Sequence, residues 1–287
     1  MNLSFILLLA LFGAASSQRL SQAENNYLQS ICGTQPANLK RSLKDSPKSN
    51  STRRNIYNGI PVDASRAPWS VRVGFAGNKC TGTIISPRHV LTARHCLEVN
   101  PSKSWILQGA RYHADSTNQV YSGTFSSLSV ILSSGARASG SIMYLIDSMY
   151  KQPYEADLLI LELNTDIPLT STSYPVCVPK NIQNTLANSR VAIFAYGSNT
   201  YVFSGQGIGV LRYGAMTISN IFDNGRNFRV YDNRFAARPG DSGGGYLQKW
   251  NGRIHVIGVA SNADETSAQG PLVGYHYNDI CRLTGIC

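Results

Sequence analysis

From Ile56 onward the chain is divided into short runs rich in Val, Ile, Tyr and Phe, separated by Gly, Pro, Asn and Ser. Runs such as 70–75, 83–85, 191–196 and 254–259 are too short for stable helices, and their β-branched content suits strands closed by turns. The fully apolar stretch 158–161 stops after four residues, as a buried strand would, and falls far short of a membrane span. An all-β barrel or sandwich follows. The Ser/Gly-rich interval 122–141, with an apolar run at 128–132, reads as a loop or hairpin insertion. No fixed-period repeat supports a solenoid or propeller. With 287 residues, 43% hydrophobic and 15% charged, the chain has material for one large domain or two small ones plus extensions.

Those extensions lie at the N-terminus. An apolar run at 5–12 followed by small residues reads as a signal peptide over 1–17, cut between Ala15 and Ser17, which directs the protein to the extracellular space. The polar segment 18–54 is expected to be exposed and largely unfolded; it ends in Arg53-Arg54 and carries the sequon Asn50-Ser51-Thr52. The globular part is then 55–287. The net charge of +10 divides evenly, because seven basic residues against Glu24 and Asp45 give the segment before Asn55 a share of +5. Scattered basic residues without an aromatic-interleaved patch read as a solvated surface, with no nucleic-acid or membrane partner.

Six cysteines, none in paired CxxC spacing, point to disulfides in an oxidising compartment and away from zinc. His89, His113, His255 and His276 stand apart from one another and from acidic pairs, so they read as surface or strand residues, and no metal or cofactor is expected. His95 differs. Cys80 and Cys96 bracket a hairpin-sized segment that ends at His95, and a bridge between them would fix it as a general base must be fixed, contributing about 3 kcal/mol in the chain-entropy model. Asp157 directly precedes the run 158–163; alone it is a strand-starting turn residue, but a buried acid there could orient an imidazole. In Arg238-Pro239-Gly240-Asp241-Ser242-Gly243-Gly244-Gly245, the glycines mark a loop and also permit a tight turn that exposes the Ser242 hydroxyl. The N–H groups of Gly240 and Ser242 could then point together at a developing oxyanion. Serine needs a neighbouring base, so this chemistry requires His95 and Ser242 to meet in space.

These stretches, in the order His95, Asp157, Ser242, together with the bracketing cysteines and Pro68-Trp69 after Ile56, resemble the chymotrypsin-like serine proteases. The resemblance covers Ile56 to the C-terminus. It implies two six-stranded antiparallel Greek-key barrels with the active site between them, and a secreted monomeric endopeptidase that meets protein or peptide substrates, an activating protease and protein inhibitors. It also implies a zymogen in which a new amino terminus at Ile56 pairs with Asp241. Cys32 and Cys177 resemble the family's bridge to a cleaved propeptide; with Cys80–Cys96, they leave Cys281–Cys287, supported only by local proximity, among fifteen possible pairings.

The chain departs from the family pattern at two places. Asn55 stands between the dibasic pair and Ile56, so activation requires cleavage after Asn55, or cleavage after Arg54 followed by trimming. Around the specificity pocket, Ala236 occupies the position of the family's acidic residue, which removes the expectation of cleavage after Lys or Arg. Arg238 replaces a cysteine whose usual partner is also missing, consistent with a lost bridge and a less constrained pocket wall. Ser261-Asn262-Ala263 resembles the substrate-backbone strand, and the extra methyl of Ala263 suggests a small or medium apolar side chain. A non-catalytic binding protein on the same fold is the competing reading.

Overall fold

The computed structural model describes residues 19–34, 59–97, 110–125, 127–147, 156–185, 187–198, 207–232 and 236–287. The signal segment, the sequon, Arg53, Arg54, Asn55 and Ile56 lie outside them. In chain order the elements begin with α1 (Gln22–Ile31), β1 (Ile60–Pro61), β2 (Ser70–Phe75), β3 (Asn78–Ser86), β4 (His89–Thr92), β5 (Arg111–Ala114), β6 (Gln119–Ser122), β7 (Leu128–Ile131), β8 (Arg137–Ala138), β9 (Gly140–Ile146) and β10 (Leu158–Leu163). They continue with β11 (Arg190–Ala195), β12 (Arg212–Phe222), β13 (Asn227–Tyr231), β14 (Gly245–Trp250), β15 (Arg253–Val259), β16 (Asn262–Ala263), β17 (Ser267–Pro271) and α2 (Tyr277–Thr284).

The strands form two antiparallel sheets, built from the two halves of the chain apart from β1, which joins the second sheet, giving the expected all-β, two-barrel architecture. The first runs β5-β6-β9-β10-β4-β3-β2-β7-β8, and the second β15-β14-β11-β12-β13-β17-β16 with β1 added on β12. They hold nine and eight strands; short ribbons such as β7–β8 and β16 extend the count beyond six each. The hairpin at 122–141 is therefore part of the first sheet, where β7 pairs with β2. Strand β10 is buried at all six positions between β4 and β9; its apolar run 158–161 suits this, and the buried Glu162 accepts from Tyr144 OH. Trp69 packs edge-on against Phe194 at 5.5 Å, joining the cores of the two sheets.

All three disulfides form as anticipated, Cys32–Cys177, Cys80–Cys96 and Cys281–Cys287. The N-terminal segment, however, is not an unfolded extension where it is described. Ser21 and Glu24 make a reciprocal capping box that starts α1, and Leu28 and Asn25 are buried. Arg88 pairs with Glu24 at 2.7 Å, Leu20 N–H donates to Thr284 O, and Cys287 N–H donates to Asn25 Oδ1, so α1 is docked on the C-terminal end of the chain. One histidine differs from the surface-or-strand reading. His89 lies in β4, fully buried beside Ser86 Oγ, whereas His276 is buried in a short helical turn ahead of α2, where desolvation lowers its pKa to about 4.

Truncating the docked face exposes its contribution. Leu28→Ala is expected to cost about 2–5 kcal/mol in urea denaturation, whereas Tyr27→Ala, at a side chain 58% exposed, should change stability by less than about 0.5 kcal/mol.

Candidate active site

The site forms where strand ends from both sheets converge. In the first sheet, Leu159 pairs with Thr92 across β10 and β4. Extending that antiparallel register by two residues sets Asp157 opposite Arg94, adjacent to His95 on the 3-10 turn Arg94–Cys96. The carboxylate meets His95 twice: His95 N–H reaches Asp157 Oδ1 at 2.8 Å, and His95 Nδ1 lies 2.6 Å from Asp157 Oδ2. In the second sheet, Gly245 pairs with Val259, and the register runs on through Gly244 and Ala260. This sets Ser261 beside the nucleophile turn, and its hydroxyl donates to Asp157 Oδ2 at 2.5 Å. Sequence reasoning had given Ser261 only a place on the substrate strand.

Burial pushes the Asp157 carboxyl up, but hydrogen bonds from His95 and Ser261 and the charge of His95 outweigh it, and the net pKa is below the ordinary value. The acid is ionised at neutral pH and fixes one nitrogen of an imidazole that is itself exposed. Cys80, His95 and Cys96 are the one cluster of metal-type ligands among the described residues. Their chemistry does not suit a cation, because both sulfurs are joined in the disulfide.

The turn at 239–244 is held by its carbonyls. Ser198 N–H donates to Pro239 O at 2.9 Å, Thr81 Oγ1 to Gly240 O at 2.8 Å, and Thr81 N–H to Ser242 O at 2.9 Å. Gly240 and Gly243 both adopt positive φ, and a Cβ on Gly243 would collide with Thr92 Oγ1 and Thr81 O, which requires glycine there. Amides of Asp241, Gly243 and Gly244 are bonded internally, to Arg238 O, Ala260 O and Asp241 O. Those of Gly240 and Ser242 have no acceptor among the described residues. Two free amides on a pinned turn can stabilise an anion.

Asp241 is fully enclosed. Its carboxylate accepts from Gly197 N–H at 2.9 Å and Arg238 N–H at 2.8 Å. Burial dominates and pushes its pKa up to about 7, against those hydrogen bonds and the charges of Arg212 and Arg238. Ile56, its expected partner, lies outside the described residues.

A cavity of about 510 Å³ beside Ser242 is bounded by Ala237, Arg238, Ala260, Ser261, Asn262 and Ala263 among others. Ala236 is buried next to this wall and is not among its lining residues. The wall is not left unconstrained by the missing bridge. Arg238 donates from Nη1 to Ala237 O and Asp264 O, at 2.9 and 3.2 Å, and from Nη2 to Glu265 O at 3.4 Å, so a guanidinium spans where a disulfide was absent. Sequence spacing cannot reveal this contact, because Asp264 and Glu265 take part through backbone carbonyls that any residue carries.

Comparison with known proteins agrees with this geometry. Ovochymase of Halocynthia roretzi is 27% identical over 134 residues, which is 46% of this chain and 8% of that protein's own length. The trypsin family profile matches residues 56–281, spanning both sheets and every residue of the site described above. Three ordered motifs, two antiparallel sheets and the convergence of their strand ends are thus features of one lineage, and the chain belongs to the trypsin family of serine proteases.

Proposed function

We propose that the chain is a secreted serine endopeptidase made as a zymogen, with 1–17 as signal peptide, 18–54 as an extension tethered through Cys32–Cys177, and 55–287 as the protease domain. The observation that carries this reading is the Ser261–Asp157–His95 hydrogen-bond chain beside a serine turn whose Gly240 and Ser242 amides lack internal acceptors. Ser242 attacks the scissile carbonyl while His95 takes its proton, and the Gly240 and Ser242 N–H groups hold the resulting oxyanion. His95 then passes the proton to the leaving amine, the acyl-enzyme forms, and water repeats the sequence. Asp157, ionised throughout, keeps the imidazole in one tautomer and stabilises its cation. Ala237, Ala260 and Ala263 form the apolar part of a cavity that also carries Arg238, Asp264 and Glu265, and this alanine wall supports a small or medium apolar residue on the acyl side of the bond.

The enclosed Asp241 supports zymogen control. A carboxylate with two backbone donors lacks a full counter-charge, and the ammonium of a new terminus at Ile56 would supply it. The docked α1 and its disulfide keep the cleaved extension in place.

The central test is labelling of the processed protein by a fluorophosphonate, with the N-terminus read by mass spectrometry. Labelling at Ser242 in protein beginning at Ile56 is expected; intact Ile56-initiated protein that stays unlabelled would establish the binding-protein reading. Ser242→Ala should abolish labelling, and Asp157→Asn should lower kcat about 10⁴-fold through the wrong His95 tautomer.

Two further outcomes concern the scaffold of the site. In the uncleaved chain, the Asp241 carboxyl binds its proton more tightly folded, at about 7, than unfolded, near its usual 3.8. Its contribution to stability is therefore present at low pH and is lost as pH rises from about 4 to about 7. Urea denaturation across that range should show this decline, and Asp241→Asn should flatten it. Thr81 is a positioning residue: Thr81→Val strips partners from Gly240 O and Tyr196 N–H, costing about 1–3 kcal/mol in stability. It should also lower kcat with KM little changed, and Thr81→Ser should restore both.

A further inference from the structure

A second cavity, of about 350 Å³, lies on the other side of the same turn. Its lining includes Arg72 from β2, Lys79 from β3, Tyr196, Gly209 and Gly240. Arg72 and Lys79 are the charged residues on this lining, and no carboxylate is among them. Among the described residues neither cation lies within ion-pair distance of an acid. Arg72 is half-buried with its guanidinium 5.8 Å from the centre of the Tyr196 ring, an arrangement that steers the group without neutralising it.

Register explains why both charges face the turn. Arg72 pairs directly with Thr81, so the two side chains share one face of the first sheet. Lys79 is two residues from Thr81 along β3 and points to that same face, the one from which Thr81 bonds to Gly240 O. The strand also passes close to the turn, because a Cβ built on Gly240 would lie 3.7 Å from Lys79 O. The cavity beside Ser261 and Ala263 takes the acyl side of a substrate in the reading above. A peptide crossing Ser242 therefore leaves along β3, toward Lys79 and Arg72. At about 3.3 Å per residue for an extended chain, the second and third residues beyond the scissile bond come abreast of the two cations.

Resting on the endopeptidase reading, we propose that Arg72 and Lys79 select peptide substrates carrying Asp or Glu at the second or third position after the bond that is cut. Each cation is at a partly or fully solvated rim, so each contributes about two- to fivefold to kcat/KM for an acidic over a neutral residue. The preference shrinks as ionic strength screens the pair.

The test uses the processed protein with a peptide library randomised on both sides of the scissile bond, read by mass spectrometry. Matched fluorogenic peptides that differ only by Asp or Lys beyond the bond then quantify the ratio. Acidic residues should be enriched at the second or third position. The Asp-to-Lys ratio of kcat/KM should fall in high salt, drop toward unity in the Arg72→Gln, Lys79→Gln pair, and favour Lys in Lys79→Glu. Protein that is labelled at Ser242 and cuts peptides without regard to these charges, or whose ratio is unmoved by Lys79→Glu, overturns this inference and leaves the protease reading standing. Protein that is neither labelled nor able to cut any library member overturns both.

Discussion

Thr81 is the point through which the two halves of the molecule are held in register. Its backbone N–H binds Ser242 O, its hydroxyl donates to Gly240 O and accepts from Tyr196 N–H, and its carbonyl takes a hydrogen bond from Thr92 Oγ1. One fully buried residue of the first sheet thereby fixes the serine turn of the second and ties both to Thr92 at the end of β4, just ahead of the turn that carries His95. Thr83 repeats the stitch one pleat along, accepting from Gly245 N–H at the start of β14. Hydrogen bonds enclosed at such a seam cannot be exchanged for water, so breaking one leaves a bare polar group. The geometry of the serine turn is for this reason a property of both sheets together.

Around that seam the chain carries charge in two different ways. Asp157 is partly buried and is kept ionised by donors that converge on it, from His95 and Ser261. Asp241 is buried more deeply, and its backbone donors do not offset the loss of water. The contrast lies in what each carboxylate is paired with: two side chains and an amide that are already in place, against a partner that exists only after the chain is cut in the proposed mechanism. Arg238 shows a third solution, a guanidinium whose planar fork closes a loop on backbone carbonyls without a cysteine.

The N-terminal helix is where local sequence rules and tertiary contacts act together. Ser21 and Glu24 stand at capping-box spacing, a local helix-start signal that the polar composition of 18–54 outweighs when the sequence is read alone. A ten-residue helix is marginal alone, and what keeps α1 is the burial of Leu28, the Arg88 pair and the Cys32–Cys177 bridge. In the chain-entropy account, closing a loop of that length contributes about 5 kcal/mol.

The sequence by itself determined the strand-rich architecture and marked His95, Asp157 and Ser242 as the candidates for acyl-transfer chemistry, while the cysteine pairing came from the family resemblance and not from spacing alone. Short β-branched runs with turn residues and ordered motifs are local signals, and local signals survive in one dimension. Tertiary structure alone decided that Ser261 bonds to Asp157, that Thr81 holds the serine turn, that Arg238 spans the gap left by missing cysteines, and that Arg72 and Lys79 face one cavity. Each of these depends on strand register or on backbone carbonyls 26 to 159 residues away in the chain. Backbone carbonyls carry no side-chain signature, and strand register decides which distant side chains meet, so only folding brings these groups together.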